Sequence, residues 1–402
     1  MKKINVEQLA LLGGKKIFEQ AKSTSNLLKP NFEQFLAYSK IFYEQMWYSN
    51  NGPNVQLLEK RLAIFHNTKH CVTFSTGFWG LALATKVLAL EGRTEIIMPS
   101  LTYRRMADMA AWTQLSPKFC EVDESTLAMT PETVAKCINK NTALILGVHP
   151  IVNCCDVEGL TELAKKHQIP ILFDSVESVY ESIESGKIGG FGNAECFSLH
   201  ACKLINGFGG GYLTTNDDKL AAKLSSMRTF GFTNVDHVEY FDGLNAKLNE
   251  MHACMALASL DDIEQQVKLN QARYKCYLRC LDEVDGIELI RFDESKACGY
   301  KNIVARITKD WPFSIEDTIS LLNSENILAR QYYSPPLHLK EMQFDFVKTD
   351  LPLSKKLSNN HLNLPCGQKV DEKDIVQICN FLKFISSNST EISNELTRNG
   401  GL

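Results

Sequence analysis

Between residues 69 and 216, short apolar runs alternate along the chain with stretches of helical periodicity such as GLALATKVLAL and VEGLTELAKKHQ. The apolar runs are KHCVTF, EIIMP, SPKFCEV, TALILGV, IPILFD, ECFSL and GGYLTTN. They are almost continuously apolar, which is typical of strands in a parallel sheet that helices cover on both faces. The pattern therefore predicts an α/β fold with a mostly parallel sheet, and ligands bind such sheets at the carboxyl ends of the strands.

The chain outside this alternation is organised differently. Residues Phe32 to Trp47 and Asn54 to His66 are predicted to form two helices, separated by the turn SNNGP. After about Glu250 come a long helical stretch, the apolar strands IELI and KNIVARI, and helices in SIEDTISLLNSE and DEKDIVQICNFLKFI. We therefore predict two domains: residues 1–260, an N-terminal segment with the large domain, and residues 261–402, a smaller α+β domain. The polar tail SSNSTEISNELTRNGGL is predicted to be loose.

Composition argues against several classes of protein. The 402 residues carry a formal net charge of −4, so no overall basic field attracts nucleic acid or an anionic membrane. No apolar run is long enough to span a membrane, and the one in MKKINVEQLALLGGKK is too short for a signal peptide. The 13 cysteines include no CxxC pair, and the adjacent Cys154 and Cys155 make a poor zinc site. We expect a cytoplasmic protein with reduced thiols, no metal site, and no nucleic-acid or membrane partner.

Residues with chemical potential follow several of the predicted strands. Gly77 opens a helix after KHCVTF; N–H groups at such a helix end attract phosphate, although a tight turn that needs glycine explains it equally well. Tyr103 follows EIIMP and can lie over a ring or pack in the core. Asp174 ends IPILFD, where a buried carboxylate needs a metal, an N-cap role or a cationic partner.

The stretch SLHACKLINGFGGG adds Ser198 and Lys203 at the end of ECFSL. On its own, Lys203 can be a solvated surface lysine, a phosphate clamp or a nucleophile that forms a Schiff base. Together, the strand ends provide a phosphate cradle, a ring stacker, a carboxylate and a lysine. These are the groups that pyridoxal 5′-phosphate needs, so we predict this cofactor.

The motifs in this order resemble one family across most of the chain. They are STGF, PSLTY, DSVE, FSLHACK followed by GGG, NAKLNE, ILARQYYSPPLH and LNLPCGQKVDEKDI. The chain resembles the DegT/DnrJ/EryC1/StrS aminotransferases, the sugar and cyclitol aminotransferases of fold type I. The resemblance implies the aspartate aminotransferase-like fold, with a large cofactor-binding domain and a smaller C-terminal domain.

The resemblance also implies roles for the residues around the cofactor ring. Lys203 matches the lysine that forms a Schiff base with the cofactor and moves protons during the reaction. Asp174 matches the partner of the pyridine nitrogen, and Tyr103 matches the residue that stacks on the ring. Lys203 and Asp174 are therefore the expected catalytic residues.

The phosphate of the cofactor is implied to lie against Ser198 and the backbone of Gly77 and Phe78. Asn245 matches a residue that reaches the phosphate of the neighbouring subunit. The resemblance therefore implies a homodimer whose active sites are shared between subunits.

Substrate-binding residues are less clearly marked. His149 ends TALILGV, where the family places a histidine near the cleft, but a structural histidine is an equal alternative. Arg330 and Tyr333, in ILARQYYSPP, are candidates for substrate contacts. Arg104 and Arg105 follow Tyr103 and can meet a donor carboxylate or a substrate phosphate, although each is more simply a solvated surface arginine.

The chain departs from the family pattern at several positions. Glu177 stands where the family has Gln or His beside the cofactor's phenolic oxygen, and a carboxylate there repels a phenolate unless it is protonated. Phe78 replaces a Ser or Thr at the phosphate turn. Lys247 and Asn249 replace Arg and Asp of NxRLDE, and Gly209 replaces the acidic residue of EGG. These changes indicate a divergent member.

The resemblance implies an aminotransferase that moves an amino group from glutamate or glutamine to a keto-sugar, either a nucleotide-linked sugar or a cyclitol, in amino-sugar biosynthesis. Relatives with histidine in place of the lysine are dehydratases, so Lys203 favours transamination. A dehydratase or other lyase on the same fold and a degenerate, non-catalytic homologue remain alternatives. A Rossmann-type nucleotide enzyme is not supported, because neither GxGxxG after the first strand nor GxxxxGK[ST] occurs.

Overall fold

The computed structural model describes residues 3–25, 27–234 and 236–398. The strands are β1 (Lys22–Ser23), β2 (His70–Phe74), β3 (Glu95–Pro99), β4 (Ser116–Cys120), β5 (Thr142–Val148), β6 (Ile171–Asp174), β7 (Ser182–Ile183), β8 (Gly186–Lys187), β9 (Ala194–Ser198), β10 (Gly211–Thr215), β11 (Phe232–Asn234), β12 (His237–Val238), β13 (Ile287–Leu289), β14 (Ile303–Ile307), β15 (Ile327–Leu328), β16 (Arg330–Gln331) and β17 (His361–Leu364). The helices are α1 (Phe32–Glu44), α2 (Pro53–His66), α3 (Gly77–Leu88), α4 (Met106–Trp112), α5 (Pro131–Ala135), α6 (Val157–His167), α7 (Asp218–Met227), α8 (Glu250–Asp261), α9 (Ile263–Leu281), α10 (Ile315–Ser324), α11 (Pro352–Ser358), α12 (Glu372–Ser387) and α13 (Ser389–Arg398).

A seven-stranded sheet in the order β2-β10-β9-β6-β5-β3-β4 forms the centre of the large domain. Its neighbours pair in parallel, except that β10 runs antiparallel to both β2 and β9. All residues of β3 and β5 are buried. Ile97 and Ile145 belong to one apolar cluster, whereas Ile96 and Leu144 belong to another. The two faces of the sheet are thus both covered, and the predicted α/β fold is confirmed.

The first residue of β10 brings two backbones close together beside the start of α3. A Cβ atom on Gly211 would lie 2.4 Å from the Cα and from the N of Gly77. No side chain fits at Gly211, so glycine there lets β10 approach the α3 N-terminus.

The entrance to α2 is closed by the last residue of the NAKLNE motif. The buried carboxylate of Glu250 accepts hydrogen bonds from Asn54 N at 2.7 Å and Val55 N at 3.2 Å. A Cβ on Gly52 would lie 2.7 Å from that carboxylate. Because the glutamate satisfies N–H groups at the helix end, its role in this chain is structural.

The C-terminal part contains a four-stranded antiparallel sheet in the order β13-β14-β17-β16. The division predicted at residue 260 falls next to the junction of α8 and α9 and stays a prediction. The N-terminal segment, however, contacts the C-terminal part: β1 pairs with β15. Ala10 N and Ile17 N each donate at 2.8 Å to the buried carboxylate of Glu325. Residues of this segment therefore contact the part of the chain that is predicted as the smaller domain.

Two local predictions differ from the structure. The first long helix ends at Glu44 rather than Trp47. The tail, predicted to be loose, instead forms α13, which buries the side chain of Ile392. Residues 399–402 of that prediction lie outside the described residues. No helix in the described ranges is both long and apolar enough to pass through a membrane.

Candidate active site

The topology gathers the predicted site residues at one edge of the large sheet. β9, β6, β5 and β3 are neighbours in this order, and they run in the same direction. Ser198 ends β9, Asp174 ends β6, and Tyr103 follows β3. Adjacent parallel strands place their carboxyl ends together, so these residues share one edge, where α/β proteins bind ligands.

Lys203 lies in a turn after β9 and is held away from solvent. Its side chain is only 16% exposed, and its ammonium group donates to Oε1 of Glu177 in a buried ion pair. Burial lowers the pKa of Lys203, but the negative charge and the hydrogen bond of Glu177, together with the charges of Cys202 and Asp174, outweigh it and raise the pKa above its ordinary value. The solvated surface lysine that the sequence left open is therefore not what the structure shows.

Glu177 bridges two lysines. Its second oxygen, Oε2, accepts from Lys301 Nζ and, at 3.1 Å, from Asn302 Nδ2. Burial raises the pKa of Glu177, but the charges of Lys203 and Lys301 and their hydrogen bonds hold it well below its usual range. The carboxylate is therefore ionised, and two ammonium groups compensate its charge.

Sequence reasoning missed Lys301 and Asn302. They stand at the start of KNIVARI, immediately before β14 of the C-terminal sheet, and Lys301 is 124 residues from Glu177 in sequence. The sequence shows only a lysine before an apolar strand, and this pattern does not indicate that the lysine pairs with Glu177.

Asp174 is a buried carboxylate that forms no ion pair with any described residue. Its Oδ1 accepts from Val176 N at 3.2 Å. Burial raises its pKa to about 6, against that hydrogen bond and the more distant charge of Lys203. No helix begins immediately after it, so it is not an N-cap. In the described ranges no His, Cys, Asp and Glu side chains cluster to hold a metal. A protonated pyridine nitrogen would supply the missing cation, so Asp174 fits pyridoxal phosphate.

The residues predicted for the phosphate cradle lie together at the start of α3. The helix begins at Gly77, and Thr76 caps it by accepting from Trp79 N at 3.3 Å. The Cβ of Ser198 lies 3.6 Å from the position that a Cβ on Gly77 would occupy. First-turn N–H groups beside a hydroxyl form an anion site, so these residues fit the cofactor's phosphate. Thr76 was not among the predicted residues, although a threonine before a helical glycine is an N-cap signal.

His149 is placed differently from the other strand-end residues. Its ring is fully buried, stacks on Phe173, and accepts from Cys155 N at 3.2 Å through Nδ1. Its Nε2 lies 4.0 Å from Oε2 of Glu195. Burial lowers its pKa to about 3, so the ring is neutral. The predicted substrate contact is therefore not supported, because the ring has no surface that a substrate can reach.

Tyr333 and Arg330 stand near the site from the C-terminal part. Tyr333 packs edge-on against Tyr332 with ring centroids 4.7 Å apart. Burial raises its pKa, and the charges of Tyr332, Glu177 and Asp174 act in the same direction. Arg330 is exposed on β16, and its charge also acts on Tyr333.

Asn245 is exposed and accepts a hydrogen bond from Lys247 Nζ at 2.6 Å. The next residue, Ala246, accepts through its carbonyl from Ser75 N at 2.6 Å, just ahead of α3. Within one protomer Asn245 thus lies on the surface near the phosphate cradle, with its amide directed to its own neighbour.

Comparison with known proteins identifies the class. The model of the DegT/DnrJ/EryC1/StrS aminotransferase family matches residues 32–383. The chain is 26% identical over 306 residues to the dTDP-4-amino-4,6-dideoxy-D-glucose transaminase of Shigella dysenteriae, covering 76% of this chain and 83% of the relative. It is 25% identical over 342 residues to the GDP-perosamine synthase of Vibrio cholerae, covering 84% and 92%. The crystal structure of DesI in the presence of its TDP-sugar product superimposes with a TM-score of 0.90 at 27% identity, covering 97% of this chain and 99% of DesI.

The fold and the edge-of-sheet site define a pyridoxal-phosphate-dependent transferase of fold type I. The chain belongs to the DegT/DnrJ/EryC1/StrS aminotransferase family. It is thus an aminotransferase with pyridoxal phosphate as its cofactor.

Proposed function

We propose that this aminotransferase moves an amino group from glutamate or glutamine to a keto-sugar, either a nucleotide-linked sugar or a cyclitol. The proposal is carried by Lys203, which is buried at the same sheet edge as Asp174 and is held there by Glu177. Curated relatives that act on dTDP- and GDP-linked sugars support the sugar as acceptor.

Bound pyridoxal phosphate supplies an electron sink for the carbon that loses its proton. The α3 N-terminus and Ser198 hold the phosphate, and Asp174 keeps the ring nitrogen protonated. Lys203 Nζ takes the proton from the carbon that bears the donor's amino group, and it returns a proton in the second half of the reaction. Glu177 stabilises the ammonium form of Lys203, while Lys301 keeps Glu177 compensated at the moments when Nζ is neutral.

A borohydride-trapping experiment tests the role of Lys203. The protein is loaded with the cofactor, reduced with borohydride, digested and mapped by mass spectrometry. We expect the added mass on the peptide that contains Lys203 and none in Lys203→Ala. A loaded protein without this adduct would favour the non-catalytic homologue.

Product analysis tests the transfer. With ¹⁵N-labelled glutamate or glutamine and a dTDP- or UDP-linked keto-sugar, we expect the label in an amino-sugar product. A product that has lost a hydroxyl group and gained no nitrogen would indicate the dehydratase instead.

We also propose that the enzyme is a homodimer with shared sites. A cavity is lined by Asn50, Arg228 and Lys247, and exposed aromatic side chains, including Tyr48 and Phe230, flank it in sequence. Exposed apolar groups at one place are typical of an interaction surface. Mixed dimers of Lys203→Ala and Asn245→Ala subunits should regain activity, because one of the two shared sites would contain both native residues.

We place the enzyme in the cytoplasm. All thirteen cysteines are free, and ten of them are buried. This state of the thiols is typical of a reducing compartment. Fractionation of the native cells with an antibody against the chain would test it.

A further inference from the structure

Next to Asp174, three buried polar side chains form a group that the proposed mechanism does not use. They are His149, Ser175 and Glu195, and none of them is more than 2% exposed. We call them the His149–Glu195 group. His149 follows β5, Ser175 follows β6 and Glu195 lies on β9, so the group spans three neighbouring strands. Buried polar side chains are costly unless they are hydrogen-bonded, so each of the three should have partners.

Glu195 is the centre of this group. Its Oε1 accepts from Gly189 N and Phe191 N, both at 2.8 Å, and its Oε2 accepts from the Ser175 hydroxyl at 2.5 Å. All three donors are neutral, and burial raises the pKa of Glu195 to about 7 against these hydrogen bonds. A carboxylate oxygen has two acceptor sites, so Oε2 has room for one further donor.

The ring of His149 carries such a donor. Nδ1 accepts from Cys155 N at 3.2 Å, so the proton of the neutral ring is on Nε2. Nε2 has no hydrogen-bond partner among the described residues and lies 4.0 Å from Oε2 of Glu195. An approach of about 1 Å brings these two atoms to hydrogen-bond distance. Because an unpaired buried donor is costly, a hydrogen bond from His149 to Glu195 stabilises the group.

The His149–Glu195 group holds the end of β6. Side chains alternate along a strand, so Phe173 and Ser175 share one face of the sheet and Asp174 lies on the other. Phe173 is opposite Glu195 in the pairing of β6 with β9, and the His149 ring stacks on Phe173 with centroids 5.9 Å apart. His149 N also donates to Asp174 O at 3.2 Å. The group therefore acts on Asp174 through its backbone and through the residues on either side.

We propose that His149 and Glu195 are positioning residues for Asp174, which fix the end of β6 so that the carboxylate meets the ring nitrogen of pyridoxal phosphate. The inference rests on the role of Asp174 in the proposed function. The Asp174 side chain accepts from Val176 N at 3.2 Å and forms no ion pair with a described residue, so its place depends on the backbone that carries it. A charge-assisted hydrogen bond depends on distance and angle, so a shifted strand end weakens it.

Two substitutions at His149 separate its donor from its acceptor. Glutamine can place an amide N–H near the position of Nε2, whereas asparagine can place an amide oxygen near that of Nδ1. Neither has a ring that stacks on Phe173. We expect His149→Gln to bind pyridoxal phosphate within about threefold of wild type, and His149→Asn to bind about tenfold more weakly. Fluorescence titration of the cofactor-free protein measures the affinity.

Two substitutions test the other side of the group. Glu195→Gln puts an amide where the carboxylate accepts, so we expect it also to weaken cofactor binding by about tenfold. Ser175→Ala removes only one hydroxyl, so it tests the group even if Glu195→Gln does not fold, and it should weaken binding by about threefold. The control is Glu325→Gln, which changes another fully buried carboxylate in the C-terminal part. It should lower the melting temperature and leave the affinity unchanged.

A spectroscopic signature distinguishes positioning from a general loss of stability. With cofactor labelled with ¹⁵N in the ring, the ¹⁵N chemical shift reports how far the ring nitrogen is protonated. We expect the shift to move towards that of the unprotonated nitrogen in His149→Asn and Glu195→Gln, and to stay at the wild-type value in His149→Gln and Glu325→Gln. No substrate is added, so the result does not depend on finding the amino donor or the acceptor.

Several results would overturn the inference. One is weaker binding with an unchanged ¹⁵N shift, which would make the group merely structural, and another is no change in either quantity. Equal losses in His149→Gln and His149→Asn would assign the effect to the ring stacked on Phe173 instead of the donor. Asp174→Asn separates this inference from the proposed function. If its ¹⁵N shift is also unchanged, the role of Asp174 fails and the inference fails with it; a change in Asp174→Asn alone overturns only the inference.

Discussion

The Lys203 site and a cavity lined by Arg104 and Lys340, called here the Arg104–Lys340 cavity, arrange their charges in opposite ways. At Lys203, the carboxylate of Glu177 lies between two ammonium groups, and all three side chains are largely buried. Arg104 and Lys340 line a cavity of about 600 Å³ between the start of α4 and residues 340–344, and neither forms an ion pair with another described residue. A buried charge must be paired because its desolvation is costly. A cation that water can reach stays hydrated and is available to bind an anionic ligand. The Lys203 site is therefore suited to fixing the protonation state of Lys203, and the Arg104–Lys340 cavity is suited to binding an anion.

The largest effect is expected from Lys203→Ala. Loss of the only group proposed to move the proton should lower the rate of both half-reactions by more than about a thousandfold. Stopped-flow absorbance with glutamate measures the first half-reaction, and Lys219→Ala, on the exposed side of α7, is the control. Retention of more than a tenth of the rate would show that another base serves.

Asp174→Asn should separate stability from cofactor binding. Burial raises the pKa of Asp174 to about 6, so the unfolded chain, with its lower pKa, holds fewer protons between roughly pH 4 and 6. The cofactor-free wild type therefore loses stability as pH rises through this window. Above pH 6, we expect the free energy of unfolding of Asp174→Asn to exceed that of wild type by at most about 3 kcal/mol. Near pH 4, the two proteins should be equally stable.

The same variant should bind pyridoxal phosphate more weakly, because the ring nitrogen loses its anionic partner. Thermal melts across pH, with and without the cofactor, measure both effects. A cofactor-free variant that is less stable than wild type at neutral pH would contradict the charge argument.

Because Glu177 bridges Lys203 and Lys301, two substitutions should shift the pKa of Lys203 in opposite directions. Glu177→Gln removes the anion and should lower the pKa of Lys203, whereas Lys301→Met leaves Glu177 to Lys203 alone and should raise it. A shift of about one pH unit is expected for each. The rate at which an amine-directed reagent labels Lys203 in the cofactor-free protein, followed by peptide mass spectrometry across pH, measures the pKa. Glu158→Gln, on the exposed face of α6, is the control, and shifts of the same sign would disprove the bridge.

The two regions also differ in how far the sequence predicts them. Asp174 and Lys203 could be found because Asp174 ends one strand and Lys203 follows another, both strands have recognisable apolar runs, and parallel strands bring their carboxyl ends together. The state of Glu177 could not be predicted, since its partner Lys301 comes from a distant part of the chain. Arg104 was visible beside Tyr103, but only the folded segment that carries Lys340 places a second cation opposite it. Likewise, no local pattern shows that β1 joins β15.

The smallest effect should come from Glu341→Gln at the rim of the Arg104–Lys340 cavity. Its carboxylate is exposed, so solvent screens its repulsion of a bound phosphate. We expect dTDP to bind about two- to threefold more tightly in this variant at low salt, and the gain to fade as ionic strength rises. Titrations at two salt concentrations measure the difference. Weaker binding in Glu341→Gln would mean that Glu341 contacts the ligand directly, which would move the nucleotide towards the rim and away from Arg104 and Lys340.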